Sequence, residues 1–161
     1  MATFRRNSLI LLTCAILGTG LPVAAQNANF GVLELSPGFD RTTASRLGNT
    51  SGDLTLQDLA ANLSRNIPSA CRIENRYSSQ RPDHLMTLTQ DLVELRLTIN
   101  SNGKPTTLVV QDPQGRLYCG IPGSRFNEDS VLGLTHWDAG DYKIWVAGES
   151  AGQQYRFSAR E

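Results

Sequence analysis

Hydrophobic and polar positions alternate most regularly where Val93, Leu95, Leu97 and Ile99 are separated by Glu94, Arg96 and Thr98. Successive side chains of an extended chain point to opposite faces, so this pattern predicts a strand with one buried face. Ser101, Asn102, Gly103, Lys104 and Pro105 then make a turn, and the β-branched run 106–111 predicts the next strand. Asp112-Pro113-Gln114-Gly115 carries Pro and Gly where a tight turn accepts them, and 116–119 reads as the returning strand. Residues 120–129 are rich in Gly, Pro and Ser and predict a loop, after which 131–135, 142–147 and 154–159 read as strands. Upstream, 30–36 predicts a first strand stopped by Pro37 and Gly38, and 40–53 has the composition of an exposed connection. Residues 54–59 are ambiguous. Leu54 and Leu56 alternate as in a strand, whereas Leu56, Leu59, Ala60 and Leu63 recur at helical spacing.

About eight short strands, with turn signals roughly every 8–12 residues and little helix, predict an all-β chain. The expected architecture is an antiparallel β-sandwich of jelly-roll or immunoglobulin-like type.

The first 25 residues follow another pattern. Arg5 and Arg6 precede an apolar core at 9–17, and Val23, Ala24 and Ala25 place small residues at a cleavage point. That order predicts a secretory signal peptide. The apolar run falls short of the roughly 18 to 20 residues that a membrane anchor needs, and Gly18, Gly20 and Pro22 interrupt it. The Arg5–Arg6 pair leaves Sec and twin-arginine export both open. The expected division is 1–25 signal, 26–70 an N-terminal strand and irregular connection packing on the domain, and 71–161 the sandwich core.

Processing changes the charge and cysteine balance. The 161-residue chain carries 15 Lys+Arg and 15 Asp+Glu, and loss of Arg5 and Arg6 leaves 13 − 15 = −2. Such a domain has no broad basic surface, which argues against nucleic acid as a partner. After cleavage no transmembrane anchor is expected. Of the three cysteines, Cys14 leaves with the signal, and Cys71 and Cys119 remain in an oxidising compartment, where a disulfide between them is expected. Two cysteines with His84 and His136 show no zinc-ligand spacing.

Few residues suggest chemistry. Asp138, Gly140 and Tyr142 have the arrangement of a β-sandwich corner, in which the tyrosine ring folds over a bend and its hydroxyl bonds to backbone a few residues upstream. Tyr142, Ile144 and Val146 then face the core, and Trp145 takes the opposite parity. There it either contributes to a binding surface, together with Asn127, Glu128 and Asp129, or packs under a loop. Glu128 and Asp129 are the candidate ligands for Ca²⁺, although the alternating spacing of a dedicated calcium loop is missing and a solvated acidic turn reads equally. No catalytic set is expected. His84 and His136 are the candidate bases of a hydrolase, and no nucleophile elbow accompanies them.

Four segments together carry a resemblance: Pro82-Asp83-His84-Leu85-Met86-Thr87-Leu88; Leu95-Arg96-Leu97; the run 107–115 ending in Asp112-Pro113-Gln114-Gly115; and Trp137-Asp138-Ala139-Gly140-Asp141-Tyr142-Lys143-Ile144-Trp145-Val146. Over roughly 71–160 the chain resembles the bacterial pre-peptidase C-terminal domain, and closer still a group of exported bacterial proteins of cyanobacterial type built almost wholly from it. The resemblance implies a jelly-roll-like sandwich that is non-catalytic and is often appended to secreted proteases. Relatives often carry acidic residues before the strand that here begins at Thr106, where this chain has Lys104 and Pro105. No protease domain is expected beside it.

These readings converge on an exported, non-catalytic module, secreted or periplasmic (lumenal in a photosynthetic bacterium). Its expected partner is a protein or polysaccharide at the cell envelope. The alternatives are a structural subunit of an envelope or lumenal assembly, and a hydrolase using His84 or His136.

Overall fold

The computed structural model describes residues 27–124 and 127–161. The expected signal peptide at 1–25, with Cys14, lies outside the described residues. Among the described residues, no helix is long and apolar enough to cross a membrane.

Twelve strands form two facing sheets. They are β1 (Gly31–Leu35), β2 (Ser45–Asn49), β3 (Leu54–Thr55), β4 (Tyr77–Ser78), β5 (His84–Leu88), β6 (Leu95–Asn100), β7 (Thr106–Gln111), β8 (Leu117–Cys119), β9 (Ile121–Ser124), β10 (Asn127–Leu134), β11 (Gly140–Gly148) and β12 (Gln154–Arg160). A helix, α1 (Leu56–Leu63), and a 3₁₀ turn, Ser69–Cys71, lie between β3 and β4. The larger sheet runs β1-β5-β11 with β7 and β8 beyond β11, and the short β3–β4 pair extends one end. The smaller sheet is ordered β2-β12-β6-β10-β9. The expected antiparallel sandwich is present, with one departure: β1 runs parallel to β5.

Period-two patterning builds the main core. Leu95, Leu97 and Ile99 of β6 and Tyr155, Phe157 and Ala159 of β12 face Met86 and Leu88 of β5 and Tyr142, Ile144 and Val146 of β11, all buried. Val93 is the exception within the sequence pattern, because the strand starts only at Leu95 and Val93 stands 84% exposed.

Of the four strands beyond the expected eight, β2 and β9 lie in segments read as connections, and β4 and β5 in segments to which no element was assigned. β2 occupies part of 40–53 and pairs with β12. Arg46 of β2 reaches across to the other sheet, donating to the carbonyl of Val32 from Nε at 3.1 Å and from Nη2 at 2.8 Å. Gly48 lies against the Tyr155 ring so closely that a Cβ there would sit 2.5 Å from its hydroxyl. β1 and β2 therefore place the N-terminal segment in both sheets. The expected 120–129 loop is a hairpin, β9 paired with β10.

Residues 54–63 satisfy both readings in turn. Leu54 and Thr55 pair with β4, and α1 follows at once. Thr55 caps the helix. Its hydroxyl accepts from the Asp58 backbone N–H at 3.1 Å and donates to the Asp58 carboxylate at 2.6 Å. The buried side of α1, Leu56, Leu59 and Ala60, then covers the outer face of the larger sheet and forms a second core with Cys71, Val109, Leu117, Cys119, Trp145 and Ala147.

Candidate functional site

The expected site residues fall into three places. Cys71 and Cys119 form the expected disulfide, with their Cα atoms 5.3 Å apart. It clips the 3₁₀ turn to β8 and so holds the helical layer on the sheet.

The second place is the corner. Tyr142 is buried and its hydroxyl donates to the carbonyl of Asp138, four residues upstream, at 2.7 Å. Burial raises the Tyr142 pKa, with the charges of Asp138 and Asp112 adding to the effect, so the phenol stays protonated and remains a donor. Gly140 has φ +133, and a Cβ there would lie 2.7 Å from Cγ of Pro113. The Asp112–Pro113 turn and the Asp138–Tyr142 corner are thus one packed unit. Arg116 ties them further, pairing with the Asp112 carboxylate and, at 3.0 Å, with that of Asp138. His136 bonds the other Asp138 oxygen through Nε2 at 2.9 Å.

Among the described residues, neither histidine meets a nucleophile. His84 is fully buried and shares a hydrogen bond with the Tyr155 hydroxyl through Nε2 at 3.0 Å. Among the described residues its Nδ1 has no partner. Burial, with the Arg46 charge second, pulls its pKa down to about 4, so the ring is neutral at pH 7. Among the described residues no serine, threonine or cysteine side chain bonds either histidine.

Of the two readings of Trp145 the packed one holds, and the surface reading of Asp129 is corrected. Trp145 does take the parity opposite to Tyr142, but it is 1% exposed. That face of the sheet is roofed by α1 and the disulfide, so Trp145 is core, with Nε1 donating to the carbonyl of Gln80 at 3.3 Å. Asp129 is likewise buried, and Asn127, Glu128 and Asp129 belong to β10 rather than to a loop. Its Oδ1 accepts from Ser101 N at 2.8 Å, Ser101 Oγ at 2.9 Å and Gly103 N at 3.2 Å. Burial alone would raise its pKa, but these bonds outweigh it and hold the carboxyl below its ordinary range. Asp129 is thus engaged by the turn at 101–103, while Glu128 is exposed. Among the described residues, no three His, Cys, Asp or Glu side chains cluster as a metal site requires.

The third place is the outer face of the smaller sheet, which no described element covers. A concavity of about 670 Å³ runs across β12, β6 and β10. Its floor is the polar parity of the core strands, Arg96, Thr98 and Asn100 from β6 and Arg156, Ser158 and Arg160 from β12. Register sets them opposite one another: Arg160 faces Arg96, Ser158 faces Thr98, and Arg156 faces Asn100. Among the described residues none of the three arginines has an ion-pair partner. Two of the polar β6 positions, Arg96 and Thr98, were visible in the alternation of 93–99. Their union with 156–160 depends on strand pairing and was not. Asn127 and Asp129, expected as surface candidates, do border this concavity.

No family model matches the chain, and no curated protein matches it. Among solved structures it is similar to the pre-peptidase C-terminal domain of a collagenase from Bacillus anthracis. The two share 12% identity with a TM-score of 0.44, over 80% of this chain and 94% of that one.

Proposed function

We propose that this protein is an exported, non-catalytic β-sandwich module that binds an extended partner at the cell envelope through the outer face of its smaller sheet. The observation that carries the reading is the concavity over β12, β6 and β10, floored by three arginines that have no acidic partner among the described residues. On the larger sheet, α1 covers the outer positions Val109, Trp145 and Ala147, whereas no described element lies over the outer face of the smaller sheet.

Export is supported by the 1–25 pattern and by the Cys71–Cys119 bridge, a linkage that persists in oxidising compartments. The non-catalytic reading is supported by the engagement of both histidines in bonds that lack a nucleophile. The partner is a glycan or protein of the envelope.

Sedimentation with isolated envelope material tests this. Ser158→Trp places a bulky ring in the middle of the face at a strand position that tolerates aromatics. Wild type is expected to co-sediment and the variant to remain in the supernatant with an unchanged thermal midpoint. Equal sedimentation of both would remove the face from function. Turnover of ester, peptide or glycan substrates that disappears on His136→Ala would replace the reading with a hydrolase.

A further inference from the structure

Resting on the reading of that face as the binding site, we infer that its ligand is a polysaccharide bearing carboxylate or sulfate groups. The first ground is an unfavourable arrangement. Arg96 and Arg160 stand directly opposite on antiparallel β6 and β12, where like charges repel. All three arginines are exposed and none has a carboxylate partner among the described residues. Guanidinium groups left in this state are complementary to anions that they can grip through paired N–H donors.

The spacing is the second ground. Arg156 and Arg160 are four residues apart on one strand and share a face, which separates them by about 13 Å at the ordinary rise of a strand. A single small anion can meet only one end of that row. A chain with acidic groups on successive or alternate sugars can meet both, while Ser158 and Thr98 between the ends and Asn100 beside Arg156 offer hydroxyl and amide groups to the sugar hydroxyls.

The third ground separates glycan from protein. Protein interfaces place aromatic and apolar side chains at the centre and polar ones at the rim. Here the order is inverted. The centre is cationic and polar, and the exposed large apolar side chains, Leu47 and Ile121, lie on the edge strands β2 and β9. Trp145, which could have served as an anchor, is buried on the other sheet.

The test uses the purified, oxidised protein in affinity electrophoresis and titration calorimetry, with polygalacturonate, dextran sulfate, uncharged dextran and polyglutamate as probes. Expected are binding to polygalacturonate or dextran sulfate, no binding to dextran, and loss of affinity as salt rises. Arg96→Ser and Arg160→Ser should each weaken binding about tenfold, the loss of one charge-assisted contact. Arg65→Ser, at an exposed position beyond α1, should bind as wild type. The inference is overturned if dextran binds as well as the acidic polymers, if Arg96→Ser and Arg160→Ser bind unchanged, if polyglutamate alone is bound, or if no probe is bound. In any of those cases, envelope sedimentation that Ser158→Trp abolishes keeps the face as a binding site with another ligand, and sedimentation that Ser158→Trp leaves intact removes both.

Discussion

The hydroxyl of Tyr155 and Nε2 of His84 meet at 3.0 Å inside the sandwich, bridging the two sheets through a polar contact that is wholly buried. Around it the rings pack closely. His84 stacks on Phe157 at 5.1 Å, and Phe30 meets Tyr155 edge-on at 6.4 Å. Because Nδ1 of His84 has no partner among the described residues, Tyr155→Phe leaves the imidazole with no side-chain bond. The expected cost is about 1–3 kcal/mol, the penalty for a buried polar group deprived of its partner, read as a lower urea midpoint with an unchanged slope.

Asp83 and His84, adjacent in sequence, respond to acid in opposite directions. Burial raises Asp83 to about 6, against the bonds it accepts from Asn29 and Val146, and lowers His84 to about 4. The His84 contribution is present above its unfolded pKa near 6.5 and is lost as pH falls toward 4. The Asp83 contribution is present below its unfolded value near 3.8 and is lost as pH rises through 6. Each is worth about 3 kcal/mol in full, so between pH 6.5 and 4 they nearly cancel. Asp83→Asn keeps an oxygen for the Val146 N–H and removes one of the two. Its stability should therefore fall with acid across that window while wild type stays almost level. Parallel urea-midpoint profiles for the two proteins would refute the compensation.

These contacts also mark where sequence reading succeeds. The parity of Tyr142, Ile144 and Val146 against Trp145 follows from the two-residue period of a strand, and the corner bond follows from residue types four apart. The pairing of Cys71 with Cys119 needed only the count of cysteines outside the expected signal segment. For Trp145 the choice between surface and packed position was not legible, because it depends on which sheet face α1 covers, and the α1 segment reads equally as strand and helix. β2 escaped for a different reason. Its inward positions are Arg46 and Gly48, one capping a carbonyl of the other sheet and one making room for Tyr155, so no apolar alternation appears. The arginine face is a product of register between residues far apart in the chain, which no local pattern reports.

The disulfide and Trp145 belong to one cooperative layer. The bridge closes a separation of 48 residues, and chain entropy assigns such a loop about 4 kcal/mol. Replacing both cysteines with alanine should loosen α1 and the 3₁₀ turn first, since the main core of Phe157, Trp137 and their neighbours lies on the other face of the larger sheet. Limited proteolysis is expected to cut within 56–76 in the double variant and not in wild type. Trp145→Ala should destabilise by about 3–5 kcal/mol through the cavity it leaves. Its failure in any binding assay then follows unfolding, which the urea midpoint separates from loss of a contact.

Tyr142→Phe tests the corner alone. The ring still packs on Trp137, whose centroid lies 5.3 Å away, but the bond to the Asp138 carbonyl is lost. About 1 kcal/mol of stability should disappear. Hydrogen exchange is expected to accelerate at 138–142 with little change in β6 or β12, because the bond closes a local bend. A uniform acceleration across both sheets would show that the corner instead sets the stability of the whole sandwich.

Arg96 and Arg160 separate binding from stability more sharply than any other pair. A residue kept for packing loses stability when shortened, whereas removing one of two like charges opposed across β6 and β12 relieves repulsion worth a few tenths of a kcal/mol, up to about 1. Arg160→Ser should therefore raise the urea midpoint slightly at low salt, and the gain should shrink as salt screens the pair. Arg96→Ser should do the same, and the double variant should gain less than the sum, because the repulsion exists only while both are present. A drop in midpoint for either single variant would mean that the side chain supports the sheet itself, and the outer face would then owe its arginines to the fold rather than to a ligand.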